Sequence, residues 1–187
     1  MLKRIKKTNS EGFTIIEVMI VLAIAALILL IVLLAVPALQ RSASNTSRKN
    51  DASAIAAAIS NYINNNSGNL PGGINTSAGA NIVLITDAAD AGSSAPTGNS
   101  ERANLGYYKS SNIFWGSTVT TATAPTDNPT TAASGSNVTT ESVAIIPGES
   151  CDGGAATSNL QVSARDVSVF YATDSGGGQA ALQCVSV

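Results

Sequence analysis

From Val18 to Leu39 the sequence reads VMIVLAIAALILLIVLLAVPAL, 22 consecutive positions with no charged and no polar side chain. At about 1.5 Å of rise per residue, a helix of that length spans the roughly 30 Å hydrocarbon core of a bilayer. A buried helix of a soluble domain would show a polar face every 3.6 residues, and this run has none. It therefore predicts a membrane-spanning helix, with the rest of the fold built beyond it. The run is too long for the apolar region of a cleaved secretory signal, and no Ala-x-Ala site directly follows Leu39. A simple signal anchor is the plain reading of the segment.

Charge sets the orientation. Lys3, Arg4, Lys6 and Lys7 precede the run with Glu11 as the single acid beside them, and positive flanks stay in the cytoplasm. Arg41, Arg48 and Lys49 on the far side are more widely spaced. The carboxyl-terminal part is predicted to be carried outward. Between Phe13 and Leu39 the one ionisable side chain is Glu17. An acid near the bilayer centre costs about 2.5–3.5 kcal/mol, less near the edge. Such a residue needs a partner, and Lys6 and Lys7 lie too far upstream across Gly12.

These residues carry a resemblance. The basic leader, then Gly12, Phe13, Thr14, Ile15, Ile16, Glu17 and Val18, followed by the apolar run, resembles the class III signal of type IV prepilins. In that family a membrane peptidase cuts after the glycine and methylates the new amino terminus. The resemblance implies cleavage between Gly12 and Phe13, N-methylation of Phe13, and an assembly role for Glu17, which would pair with the amino terminus of its own or of a neighbouring subunit. Gly12, lacking a side chain, gives the backbone the freedom a protease cleft requires. Pilins often carry a glycine and a proline inside the apolar helix, whereas this run has only Pro37, so a bend is expected near residues 33–37.

Past the membrane, Ala52, Ile55, Ala56, Ile59, Tyr62 and Ile63 recur at three- and four-residue steps. That is one apolar stripe on a wet helix. We read 13 to about 66 as a single helix, apolar all round over 13–39 and amphipathic over 40–66, ended by Asn64 to Gly68 and the turn Leu70-Pro71-Gly72-Gly73. The expected organisation is a cleaved leader 1–12, the helix 13–66, and a head 67–187. Short β-type runs mark the head: 81–86, 113–121, 142–146, 167–173 and 180–185, the last two flanking Asp174-Ser-Gly-Gly-Gly, a hairpin signal. An antiparallel sheet packed on the stripe gives an α+β fold, which is also the pilin arrangement that the resemblance implies.

Cys151 and Cys184 are the two cysteines. A bridge between them would close a loop over 151–184 and stabilise by roughly 4 kcal/mol in the chain-entropy model; free thiols or a redox pair are the alternatives, disfavoured by the spacing and the lack of CxxC. A carboxyl-terminal disulfide loop is also common in pilins. Residues 116–140, rich in Thr, Ser and Ala, read as a long surface loop of a kind that can be glycosylated. Tyr107, Tyr108, Phe114 and Trp115 read as head core rather than a ligand patch.

Composition excludes much else. With no histidine among 187 residues and two cysteines, imidazole catalysis and a Cys-only zinc site are out. A net charge of −2 argues against a nucleic-acid binder, which needs a concentrated basic face to neutralise phosphates. Asp87, Asp90, Asp127, Asp152, Asp166 and Asp174 lack the spacing of a calcium loop, and Gly176 to Gly178 lacks the Lys-Ser/Thr of a phosphate loop. No enzyme, cofactor, metal or small-molecule substrate is expected. The leading expectation is a structural subunit of a type IV pilus or related extracellular filament, serving adhesion, motility or DNA uptake. The resemblance implies as partners other copies of the chain, minor pilins, the prepilin peptidase, an assembly ATPase and a platform membrane protein. The subunit would sit in the cytoplasmic membrane, head outside, before assembly and in the extracellular filament after it. The alternatives are a pseudopilin or minor pilin of a secretion or competence system, and a single-pass surface adhesin that does not polymerise.

Overall fold

A computed structural model describes residues 12–93, 96–116, 119–123, 136–149, 151, 162–176 and 179–187. The basic leader up to Glu11 and much of the Thr/Ser-rich stretch lie outside the described residues. The chain divides into two compact units, residues 1–40 and 41–187.

Among the described residues of the first unit the only element is the start of helix α1, which runs from Ile15 to Asn65. Its portion up to Leu39 is exposed along almost its whole length. Every large apolar side chain that stays exposed among the described residues lies between Phe13 and Leu39. This stretch alone covers about 37 Å, enough for a bilayer. Pro37 sits inside α1, and the helix continues through the expected bend at 33–37 without a break in its assignment.

The second unit begins with the rest of α1. The stripe closes as expected: Ala52, Ile55 and Ile59 are fully buried, and Ala56 and Tyr62 nearly so, with Ile63 packed at the margin. The helix ends at Asn65 in a Schellman turn. The Gly68 amide reaches back to the Ile63 carbonyl at 2.8 Å, and Ser67 takes the left-handed conformation at φ 57°.

Nine strands follow among the described residues. β1 (Gly73–Asn75), β2 (Ile82–Thr86) and β3 (Glu101–Asn104) form an antiparallel sheet in that order. The turn into it is close-packed: a Cβ at Gly72 would overlap the backbone of Ala88. A second sheet has the order β4 (Ile113–Trp115), β7 (Val143–Glu149), β8 (Val162–Gly176), β9 (Gln179–Ser186). Here β7–β8–β9 are antiparallel, but β4 lies parallel to β7, so this sheet is mixed rather than wholly antiparallel. The expected strand 113–121 is cut at Gly116, whose φ of 77° turns the chain out of the sheet. Its continuation, β5 (Val119–Thr123), pairs in parallel with β6 (Ser136–Thr139). Both ends of the Thr/Ser-rich stretch are thus strands, not loop.

Alternation along β7 and β8 builds two cores. Val143, Ile145, Val167, Val169 and Tyr171 face α1 and join Val83 and Ile85 of β2. Ala144, Ile146, Phe170 and Ala172 point the other way and are covered by Val138 of β6. Cys151 and Cys184 are bonded with their Cα atoms 5.8 Å apart, which ties β9 to the chain after β7. Tyr108 is buried in the main core, and Tyr107 and Trp115 pack against it.

Candidate functional site

The segment around Gly12, Phe13 and Glu17 is built by the start of α1. Gly12, Phe13 and Thr14 are not helical; the first helical hydrogen bond runs from the Val18 amide to the Thr14 carbonyl. Thr14 is therefore the N-cap. Its amide and its hydroxyl both donate to Glu17 Oε2 at 2.8 Å, and its hydroxyl accepts from the Glu17 amide at 3.3 Å. This reciprocal arrangement is a capping box, satisfying two donors at the helix start that would otherwise have no partner.

The bond between Gly12 and Phe13 stands free of the helix. A side chain at Gly12 would meet nothing within 4 Å, and Phe13 is 89% exposed. In the uncut chain the Phe13 nitrogen is a peptide nitrogen, so the amine expected to pair with Glu17 does not yet exist, and the carboxylate is held within its own chain. The sequence signal for this was the spacing Thr14-x-x-Glu17, which a reading centred on membrane depth passes over.

A second polar group was not visible in sequence. Arg41, Asn45, Arg48 and Asp51 continue the line of the apolar stripe toward the membrane side of α1, and Arg48 and Asp51 are buried. Asp51 accepts three backbone amides from one loop: Gly106 at 2.7 Å, Tyr107 at 2.8 Å and Tyr108 at 2.9 Å. Arg48 donates to the Thr140 carbonyl at 2.9 Å, to Asn45 Oδ1 at 2.7 Å and to the Tyr107 hydroxyl at 2.6 Å, and lies 4.6 Å from the Tyr107 ring centre. Its ion pair with half-exposed Glu141, at 3.8 Å, is the looser contact. Asn45 copies a peptide group, donating to the Asp174 carbonyl at 2.8 Å and accepting its amide at 2.9 Å. These contacts clamp the head loops and the β8–β9 hairpin onto the helix.

Of the other acids that the sequence singled out, Asp166 lies within β8, while Asp87 and Asp90 serve turns. Asp90 accepts the amides of Thr97 and Gly98, and Asp87 those of Ala89 and Asp90. Asp127 and Asp152 lie outside the described residues.

Comparison with known proteins places one family model on the chain, described as the prokaryotic N-terminal methylation motif, over residues 7–33. It ends inside the apolar run and spans the Gly12–Phe13 bond, the capping box and the first part of the exposed helix. No curated protein and no solved structure matches the chain.

Proposed function

We propose that the chain, which carries the prokaryotic N-terminal methylation motif over residues 7–33, is a type IV prepilin-like protein that is cut between Gly12 and Phe13, and that its mature form polymerises through α1 into an extracellular filament of the type IV pilus kind. The family motif supports membrane anchoring before assembly and, in general terms, processing and assembly with other pilin subunits. The observation that carries the filament reading is the distribution of exposed apolar surface. Residues 13–39 present large apolar side chains on every side, while among the described residues the head leaves none exposed. Outside a bilayer such a surface has to be covered, and equivalent helices of other copies are apolar all round in the same way.

Moving from lipid into a helix bundle gains little from hydrophobicity itself. Packing and the pairing of Glu17 with the amine of a neighbouring subunit would then fix the axial register, since a buried carboxylate left unpaired costs several kcal/mol. The chain has no nucleotide-binding loop, so the work of extraction falls to an external ATPase and a platform protein. No catalytic role is proposed.

Amino-terminal sequencing and electron microscopy of cells test this together. A mature chain beginning at N-methylated Phe13, and filaments lost on deletion of the protein and on Glu17→Ala, are the expected results. An amino terminus still at Met1 would instead establish a non-polymerising surface anchor. Secretion or DNA uptake lost with the filament intact would assign the chain to a pseudopilin or minor pilin.

A further inference from the structure

We propose that the polar contacts of residues 41–51 form a latch that opens as one unit, releasing two head loops and the tip of the β8–β9 hairpin from α1 while the apolar core over 52–63 stays closed. The inference goes beyond the filament reading and does not depend on it. Three observations carry it.

The first is a change of chemistry along the helix. From Arg41 to Asp51 the one apolar side chain is Ala43, which is exposed, and the main core takes its first helix residue at Ala52. Among the described residues, this stretch of α1 contributes no side chain to either apolar core. The second is that its polar contacts are joined. Asn45 Oδ1 accepts both the Asp174 amide at 2.9 Å and an Arg48 donor at 2.7 Å. Arg48 in turn holds the Thr140 carbonyl and the Tyr107 hydroxyl, and that hydroxyl donates to Glu141 at 2.8 Å. Asp51 holds the Gly106 and Tyr107 amides, and Arg41 stands 3.8 Å from Asp174. The hairpin tip, residues 106–107 and residues 140–141 thus share one connected set of partners. The third is a misfit inside the set: the Thr140 hydroxyl is buried without a partner, a cost that opening removes.

Water can replace each of these polar contacts, so each is worth little net. The stripe from Ala52 to Ile63 has no such substitute, because opening it would return apolar surface to water. The two halves of the helix–head contact therefore differ in stability, with the latch at the low end. Its opening bares backbone amides and the side chains of Asn45, Arg48 and Asp51, and leaves the dry core intact. This end of the head can yield while the fold is kept.

Native-state hydrogen exchange of the full-length chain in detergent, read residue by residue by nuclear magnetic resonance, tests this. The amides of Gly106, Tyr107 and Asp174 report the latch; those of Val169 and Phe170, in the middle of β8 between β7 and β9, report the core. The latch amides are expected to be about 100-fold less protected than the core amides, similar to one another, and insensitive to low urea, because a local opening exposes little surface. Asn45→Ala is expected to speed exchange at Gly106 and Tyr107 as much as at Asp174, by roughly tenfold. Latch amides with the protection and urea dependence of Val169 overturn the proposal. Acceleration confined to Asp174 in the variant also overturns it, since that is the mark of a separate local hydrogen bond. An Asn45→Ala chain that fails to fold does so too, because a separable latch does not carry the whole head.

Discussion

Asp51 shows how much of the head can depend on one side chain. Its two oxygens take the amides of Gly106, Tyr107 and Tyr108, so losing the carboxylate would strand three donors in a buried place. At about 1–3 kcal/mol for each unmet buried group, partly relieved by relaxation, Asp51→Ala is expected to destabilise the head by about 3–4 kcal/mol. Asp51→Asn should cost less, since one oxygen survives. Urea unfolding of the detergent-solubilised chain measures both, and an alanine variant within 1 kcal/mol of wild type would refute the role. None of this was legible in sequence, where Arg48 and Asp51 fall among polar neighbours and read as the wet side of the helix. Apart from Asn45, their hydrogen-bond partners lie 55 to 92 residues away, and a buried charge can be recognised only once the groups that satisfy it are known. Glu17 is the opposite case. Its partner is three residues away, and the Thr-x-x-Glu spacing was there to be read.

The legibility of the elements follows the same division between local and distant causes. Helix α1 was readable because its signals are local: the unbroken apolar run 18–39, the stripe at 52–63 and the turn at Asn64 to Gly68. The β8–β9 hairpin was readable from its turn residues. β3 and β6, with the sequences ERAN and SNVT, were not, because nothing in such polar stretches marks a strand until a neighbour supplies the ladder. The helix end also offers a direct check. Ser67 holds a left-handed φ of 57° at the position of the Schellman turn that glycine normally fills. Ser67→Gly is expected to stabilise the head by about 0.5–1 kcal/mol, seen as a higher urea midpoint with an unchanged slope. A lower midpoint would mean that the serine makes a contact worth more than the strain it carries.

At the scale of the whole molecule, all four tyrosines have phenols held above the usual 10.0, in each case first by burial. For Tyr62 the charges of Asp87 and Asp90 add to this, and for Tyr107 the hydrogen bond to Glu141 does, against an opposing pull from Arg48. Below pH 10 every phenol is neutral in both folded and unfolded states, and tyrosine contributes nothing to the pH dependence. Above it, the unfolded chain releases protons that the folded head still holds, so stability falls as pH rises. The head should unfold at lower urea at about pH 11 than at about pH 9, and ultraviolet titration of the folded chain should show phenol ionisation delayed beyond that of the urea-unfolded chain. Equal midpoints at the two pH values would contradict the burial of these rings.

The confinement of exposed large apolar side chains to residues 13–39 has a consequence for how such a protein can change over time. In the filament proposed above, the stem would answer to lipid and to other stems, so a substitution there would have to suit every copy at once. The head, from Arg41 onward, closes its cores with its own residues. Its outer surface is thus free to be rewritten, like a label on a fixed part, while the component that carries it still fits the same machine.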